Sequence, residues 1–180
     1  VQYMSRNHFV NFLSAEEAAK LIPDDAVIAS ACFGNGGWPH ELAYAMEDLF
    51  LETGHPANIT HIHAAGCGDF GKNGHGECHW SHDGMMTRVL TSHPGSSPKL
   101  MKMITENKIA AWNQPLGTMI QVFREMGRNM PGLLSKTGLG TFMDPRSDKG
   151  AINDLARSQN VEWAQYIPDF CGEDYIFYKA

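Results

Sequence analysis

The stretch Ala26–Leu51, AVIASACFGNGGWPHELAYAMEDLFL, sets a short apolar strand, a glycine-rich loop and an amphipathic helix in immediate succession. Val27, Ile28 and Ala29 read as a central parallel strand, because a strand covered on both faces needs no alternation of polar and apolar residues. The loop turns at Gly34, Gly36 and Gly37, where the absence of Cβ lets backbone amides approach a ligand, and Asn35 adds a side-chain amide. Pro39 suits the first helical turn, and Leu42, Ala45, Met46, Leu49 and Phe50 then recur at helical spacing. Such a unit presents N–H groups at the carboxyl end of a strand, where an α/β protein receives an acidic or carbonyl-bearing ligand. A tight turn that binds nothing is the competing reading of the same residues.

Upstream, Ser14 and Glu17 have capping-box spacing and open a helix that ends near Ile22, before Pro23 and Asp24-Asp25. Downstream, a second strand is expected over residues 59–65, followed by an irregular, glycine-rich segment over residues 66–84. Residues 87–91 and 109–112 suit further strands. Ser97-Pro98 opens a helix bearing Leu100, Met101, Met103 and Ile104, and residues 117–126 form another with Met119, Ile120, Val122 and Phe123 inward. This order predicts an α/β fold: an open, mainly parallel sheet with flanking helices and ligand loops at its carboxyl edge. Residues 161–167 and 174–178 predict an antiparallel hairpin near the C-terminus, turning over residues 169–173.

The totals bound the function. At 180 residues and 43% hydrophobic content the chain is most simply one domain, 1–180. A net charge of −6 gives no support to nucleic-acid binding, and no apolar run reaches the length of a membrane helix. The N-terminus VQYMSRNHFVNF lacks the zones of a signal peptide, and Cys32, Cys67, Cys78 and Cys171 are widely spread, so a reduced, cytoplasmic protein is expected.

Two further constellations invite chemistry. Gly66-x-Gly68-x-x-Gly71 after a strand matches a dinucleotide fingerprint on paper, but Lys72-Asn73-Gly74-His75-Gly76 is a poor helix start and no acidic residue follows at the required distance. His75, Glu77, Cys78, His79 and His82, with His61, His63 and Cys67 upstream, are competent metal ligands whose spacing matches neither paired CxxC nor HExxH. Hydrogen bonding within a long loop is the alternative, and no metal site is assigned. There is no Gly-x-Ser-x-Gly elbow, no cysteine nucleophile signature and no spaced carboxylate pair.

The order of motifs resembles the N-terminal part of family I coenzyme A transferases of the short-chain acyl, acetate and propionate type. The matching pieces are SAEEAAKLIPDDAVIAS, FGNGGWPHELAYAME, ETGHPANIT, SPKLMKMITENKIAAWNQPLG, GLLSKTGLGTFMDPR and EDYIFYKA. The resemblance implies a CoA-transferase (NagB-like) fold and movement of coenzyme A, as substrate and without a cofactor, between a short-chain acyl-CoA and a carboxylate. It implies that Gly34, Asn35, Gly36 and Gly37 line the acyl and oxyanion region and that Gln114 lies in a groove loop, although relatives often carry the glutamine after the proline. The nucleophilic glutamate of the family has no counterpart here, Glu173 falling in a hairpin turn. No catalytic residue is therefore expected in this chain, and a second domain or subunit would supply the glutamate. The stop at Ala180 favours a truncated chain, and a homo-oligomer is expected. A stand-alone module binding acyl-CoA or an acidic metabolite, and a metal-dependent hydrolase built on the histidine loop, are the alternatives.

Overall fold

The computed structural model describes residues 12–71 and 74–180. The expectation about the first eleven residues, and the Lys72-Asn73 part of the fingerprint, lie outside this range. The elements are α1 (Ala15–Ala19), β1 (Val27–Ser30), α2 (His40–Thr53), β2 (Ile59–His63), β3 (Met86–Thr91), α3 (Pro98–Thr105), β4 (Ala110–Asn113), α4 (Leu116–Gly127), β5 (Gly132–Ser135), α5 (Asp154–Ser158), β6 (Ala164–Phe170) and β7 (Glu173–Lys179), with short 3-10 turns at Gly76–His79 and Pro94–Ser96. Strands β1-β2-β3-β4 form a parallel sheet in chain order, and β5-β7-β6 form an antiparallel one. The expected α/β architecture is present.

The alternation of side chains along each strand divides the core into two layers. Ile59, Val89 and Ala111 face Ala19, Met46, Leu100 and Ile104 of α1, α2 and α3. Ile62, Leu90, Ala110 and Trp112 face Met119 of α4 and Ala156 of α5. The parallel sheet is thus covered on both faces, as its connections require. α1 begins with the expected reciprocal cap, Ser14 Oγ accepting from the Glu17 amide while the Glu17 carboxylate accepts from the Ser14 amide.

Several expectations need correction. β1 is an edge strand and not a central one: Val27 is 65% exposed, whereas every residue of β2 is buried. Apolar composition alone does not separate an edge from a centre, because strand order is decided by the crossovers. Pro39 occupies the N-cap of α2, one position before the first turn. Ile120 points outward, 53% exposed, since the buried face of α4 runs through Thr118, Met119 and Val122. The C-terminal hairpin turns more tightly than expected, at Cys171-Gly172 with positive φ at both residues, and Glu173 already belongs to β7. β5 was not foreseen. It adds to β7 and, with Val122, Ile176, Tyr178 and Leu133, closes a third apolar cluster beneath α4.

Two polar residues hold the irregular connections. Asn153 is 8% exposed; its amide donates to the Ile104 and Ile109 carbonyls at 2.8 Å each, and its oxygen caps α5 through the Ala156 amide. Asp144, 3% exposed, accepts from the Gly140 and Arg146 amides and from the Arg146 guanidinium, which in turn stacks on Tyr166 of β6. The Arg146 guanidinium outweighs burial and holds the Asp144 carboxyl well below the usual carboxylate range.

Asn153→Ala strips two buried carbonyls and a helix cap of their partner and lowers stability by about 2–3 kcal/mol, read from the urea midpoint at unchanged m-value. Asp144→Asn costs about 1.5–3 kcal/mol at neutral pH. Because the native pKa is depressed, that contribution is complete above the ordinary aspartate value of 3.8 and disappears as acid protonates the native carboxyl. The gap between variant and parent therefore begins to narrow as the pH falls below 3.8 and closes only as the native carboxyl itself protonates, well below that value. Parallel acid titrations of the two proteins measure this, and a gap that stays constant down to acid unfolding would contradict it.

Candidate functional site

All four strands of the parallel sheet deliver loops to its carboxyl edge, and these loops are bonded to one another. The Gly34 amide donates to the Gly66 carbonyl at 2.8 Å, the Phe70 amide to the Ser96 carbonyl at 2.8 Å, and Ser97 Oγ to the Cys67 carbonyl at 2.9 Å. Asn113 Nδ2 donates to the Ser92 carbonyl at 2.9 Å. The Gly66-x-Gly68 pattern has its explanation here: a Cβ on Gly66 would stand 2.4 Å from Ser96 Oγ, and one on Gly68 would stand 2.3 Å from the Ser96 carbonyl. These glycines allow loop-on-loop packing. The segment continues into a 3-10 turn, and no helix begins inside the pattern, so a dinucleotide has no helix N-terminus to meet.

The glycine loop that follows β1 sits at the open side of this edge. Phe33 and Gly36 exchange both amide-to-carbonyl hydrogen bonds, at 3.1 and 3.0 Å, across a two-residue turn with Gly34 at φ 59°. The turn therefore uses the amides of Phe33 and Gly36, and the contact with Gly66 uses that of Gly34. Among the described residues no acceptor meets the amides of Asn35 or Gly37, and both residues are exposed. Two outward N–H groups and the Asn35 side chain are what the tip offers an anion or carbonyl oxygen.

Gln114 lies elsewhere along the edge. It is 7% exposed, at the end of β4, and lines an apolar cavity of about 330 Å³ with Ile62, Leu90, Met119 and Trp163. Gly34–Gly37 do not line that cavity.

The structure splits the histidine constellation in two. In the outer part, Glu47 of α2 contacts His79 Nδ1 and lies 2.5 Å from His82 Nε2, with Lys99 Nζ 3.0 Å from the same His82 nitrogen. Burial pushes the Glu47 carboxyl up, but the bonds to His82 and His79 prevail and leave it lowered. His75 is held apart by Tyr44 Oη at 2.9 Å. In the inner part, His61 and His63 of β2 meet Glu77 beneath the loops, all three with fully enclosed side chains. Burial lowers His61. At His63 it is outweighed by the Glu77 charge, which raises the imidazole, and the two rings hold Glu77 down to about 2 against its own burial.

The expectation of reduced, separate cysteines is corrected. Cys32 and Cys67 form a disulfide between the loops after β1 and β2, their Cα atoms 6.2 Å apart despite a separation of 35 residues. Parallel pairing of β1 with β2 brings those loops side by side, which spacing along the chain does not reveal. Cys78 and Cys171 are free thiols. Sequence reasoning also passed over Ser92, whose hydroxyl donates to the Ala64 carbonyl, and read Ser97 only as a helix start, although its hydroxyl ties α3 to the Cys67 carbonyl; a serine-rich turn directly after β3 was the available signal.

No helix among the described residues is long and apolar enough to cross a membrane. The profile of the Coenzyme A transferase family matches residues 12–180. A caffeate CoA-transferase from Acetobacterium woodii is 38% identical over 169 residues, covering 94% of this chain and 31% of that protein. The acetate CoA-transferase YdiF of Escherichia coli K12 is 33% identical over 177 residues, covering 97% of this chain and 32% of the relative. The acyl-CoA transferase YdiF of E. coli O157:H7, crystallised as a thioester complex with CoA, superimposes with a TM-score of 0.84 at 32% identity over 93% of this chain and 34% of that one. The chain thus spans about a third of the length of these relatives. A family profile that runs from Phe12 to Ala180, over an α/β framework shared with a solved acyl-CoA transferase, places this chain in the coenzyme A transferase family.

Proposed function

We propose that this chain is the first domain of a transferase that moves coenzyme A between a short-chain acyl-CoA and a carboxylate acceptor. The observation that carries the reading is the turn at Gly34–Gly37 at the carboxyl edge of the parallel sheet, where Asn35 and Gly37 are exposed and their amides meet no acceptor among the described residues. A carbonyl oxygen that gains negative charge under nucleophilic attack is the ligand such a tip suits, because fixed amide dipoles need no reorganisation as the charge develops.

In this reading a glutamate outside these 180 residues attacks the thioester carbonyl. Its carboxylate oxygen bonds to the acyl carbon, the carbon–sulfur bond breaks, and coenzyme A leaves as thiolate from an acyl-glutamyl anhydride. The thiolate then attacks the glutamyl carbonyl, releasing the first carboxylic acid as its anion and leaving a glutamyl-CoA thioester for the acceptor. Asn35 and the Gly37 amide receive the thioester oxygen, and Gly34 and Gly36 shape the turn that presents them. Gln114 lines the neighbouring groove by resemblance alone. The glutamate comes from a second domain or subunit, since the relatives are about three times as long.

In the protein at its native length, Asn35→Ala lowers kcat/KM for exchange between propionyl-CoA and acetate by roughly 10²-fold, with the loss mainly in kcat. Unchanged kinetics in this variant would remove the turn from the site. Absence of exchange in the parent protein, across short-chain acyl-CoA donors and carboxylates, would sink the transferase reading as a whole.

A further inference from the structure

The inner histidine cluster has no part in the reading above, yet its three side chains are fully enclosed. His61 and His63 alternate with Ile62 on β2, so both rings leave the same face of the strand, stacked with centroids 4.6 Å apart. Glu77 arrives from the opposite side on the 3-10 turn. Gly76 makes that arrival possible: at φ 73°, it passes so close to β2's exit that a Cβ would stand 2.1 Å from the Cys67 carbonyl oxygen. One Glu77 oxygen then lies 2.9 Å from His61 Nδ1 and in contact with His63 Nε2.

These close approaches are not satisfied hydrogen bonds. Among the described residues, His61 Nδ1, His63 Nε2 and both Glu77 carboxylate oxygens are buried without a partner in hydrogen-bonding geometry. Among the described residues no lysine or arginine lies within ion-pair distance of Glu77. The far nitrogens of the two rings, by contrast, are engaged: His63 Nδ1 donates to the Ala65 carbonyl, and His61 Nε2 is 2.7 Å from Ser30 Oγ. A carbonyl only accepts, so His63 Nδ1 carries its hydrogen, and in the neutral ring Nε2 aims a lone pair at a carboxylate. Two acceptors in contact in an enclosed site need a cation between them, either a second proton on His63, which the Glu77 charge favours, or a metal ion.

We propose that this cation is a zinc-class divalent metal ion, bound by His61 Nδ1, His63 Nε2 and the Glu77 carboxylate. Two imidazoles and a carboxylate are a zinc donor set, and ring nitrogens fixed by a backbone carbonyl and a hydroxyl are the outer support such ligands use. The three ligating atoms lie within 4.8 Å of one another. Donors about 2.0–2.2 Å from a tetrahedral zinc stand roughly 3.3–3.5 Å apart, so small side-chain rotations close the site. Two-oxygen coordination by Glu77 completes four donors without water. The site is structural: it is closed on all sides and pins the segment after β2 back onto the sheet, under the loops of the carboxyl edge. It does not depend on the transferase reading.

The test is made on the untagged protein at native length, grown with zinc, iron, manganese and cobalt supplied. Inductively coupled plasma analysis after a chelator wash and desalting is expected to find about one zinc per chain. Protein refolded without zinc and given cobalt is expected to show the intense visible bands of tetrahedral Co²⁺. Glu77→Gln is expected to lose that metal with a fall in Tm, whereas Glu47→Gln, in the outer cluster, retains it. Metal content and the cobalt spectrum are read on the parent protein, so the test holds even where a variant fails to fold. Zinc below about 0.1 per chain, with no cobalt bands and an unchanged Tm on metal addition, would overturn the proposal. Nitrogen NMR showing His63 doubly protonated in metal-replete protein would do the same, by identifying the cation as a proton.

Discussion

The close approach of backbone to backbone at the carboxyl edge of the parallel sheet is the constraint on which the rest of this structure depends. The loop after β2 runs against the Ser96 carbonyl at Gly68 and against the Cys67 carbonyl at Gly76, distances that leave no room for a Cβ. Once those contacts form, the Gly34 amide finds the Gly66 carbonyl, Ser97 finds the Cys67 carbonyl, and Glu77 is carried under the loops to the two histidines. The edge thereby becomes a fixed platform, with the glycine turn at its open side. A preorganised amide pair is useful in catalysis only when its support does not yield.

Burial and charge divide the labour on this platform. At the glycine turn Asn35 and Gly37 are exposed to solvent. The acid and imidazoles of the inner cluster sit where no substrate reaches. Between these layers Trp38 packs at 4.8 Å from Trp80 and 5.6 Å from His61, so the loop that carries the turn is seated on the cluster.

Much of the framework was legible because its signals are local. The capping box at Ser14 and Glu17, the apolar stripes of α2 and α3 and the strand at β3 depend on neighbours three or four residues away. The misreadings share a different cause. Val27 is apolar in composition but sits on an edge strand, Ile120 is on the wrong side of the α4 stripe, and β5 is recognisable only once β7 is there to pair with it. Each turns on a partner far along the chain.

By itself the sequence determined the succession of strands and helices, the glycine turn after β1, and, through the order of its motifs, the family. These follow from short-range stereochemistry and from the ordered pieces of chain that the family shares. Only the tertiary structure decided that Gly66 and Gly68 serve packing, that Cys32 meets Cys67, that Gln114 faces a cavity apart from the glycine turn, and that His61, His63 and Glu77 form an enclosed triad apart from His79 and His82. The physical reason is that each of these rests on which loops share the carboxyl edge. Parallel strand pairing sets that adjacency, and spacing along the chain carries no record of it.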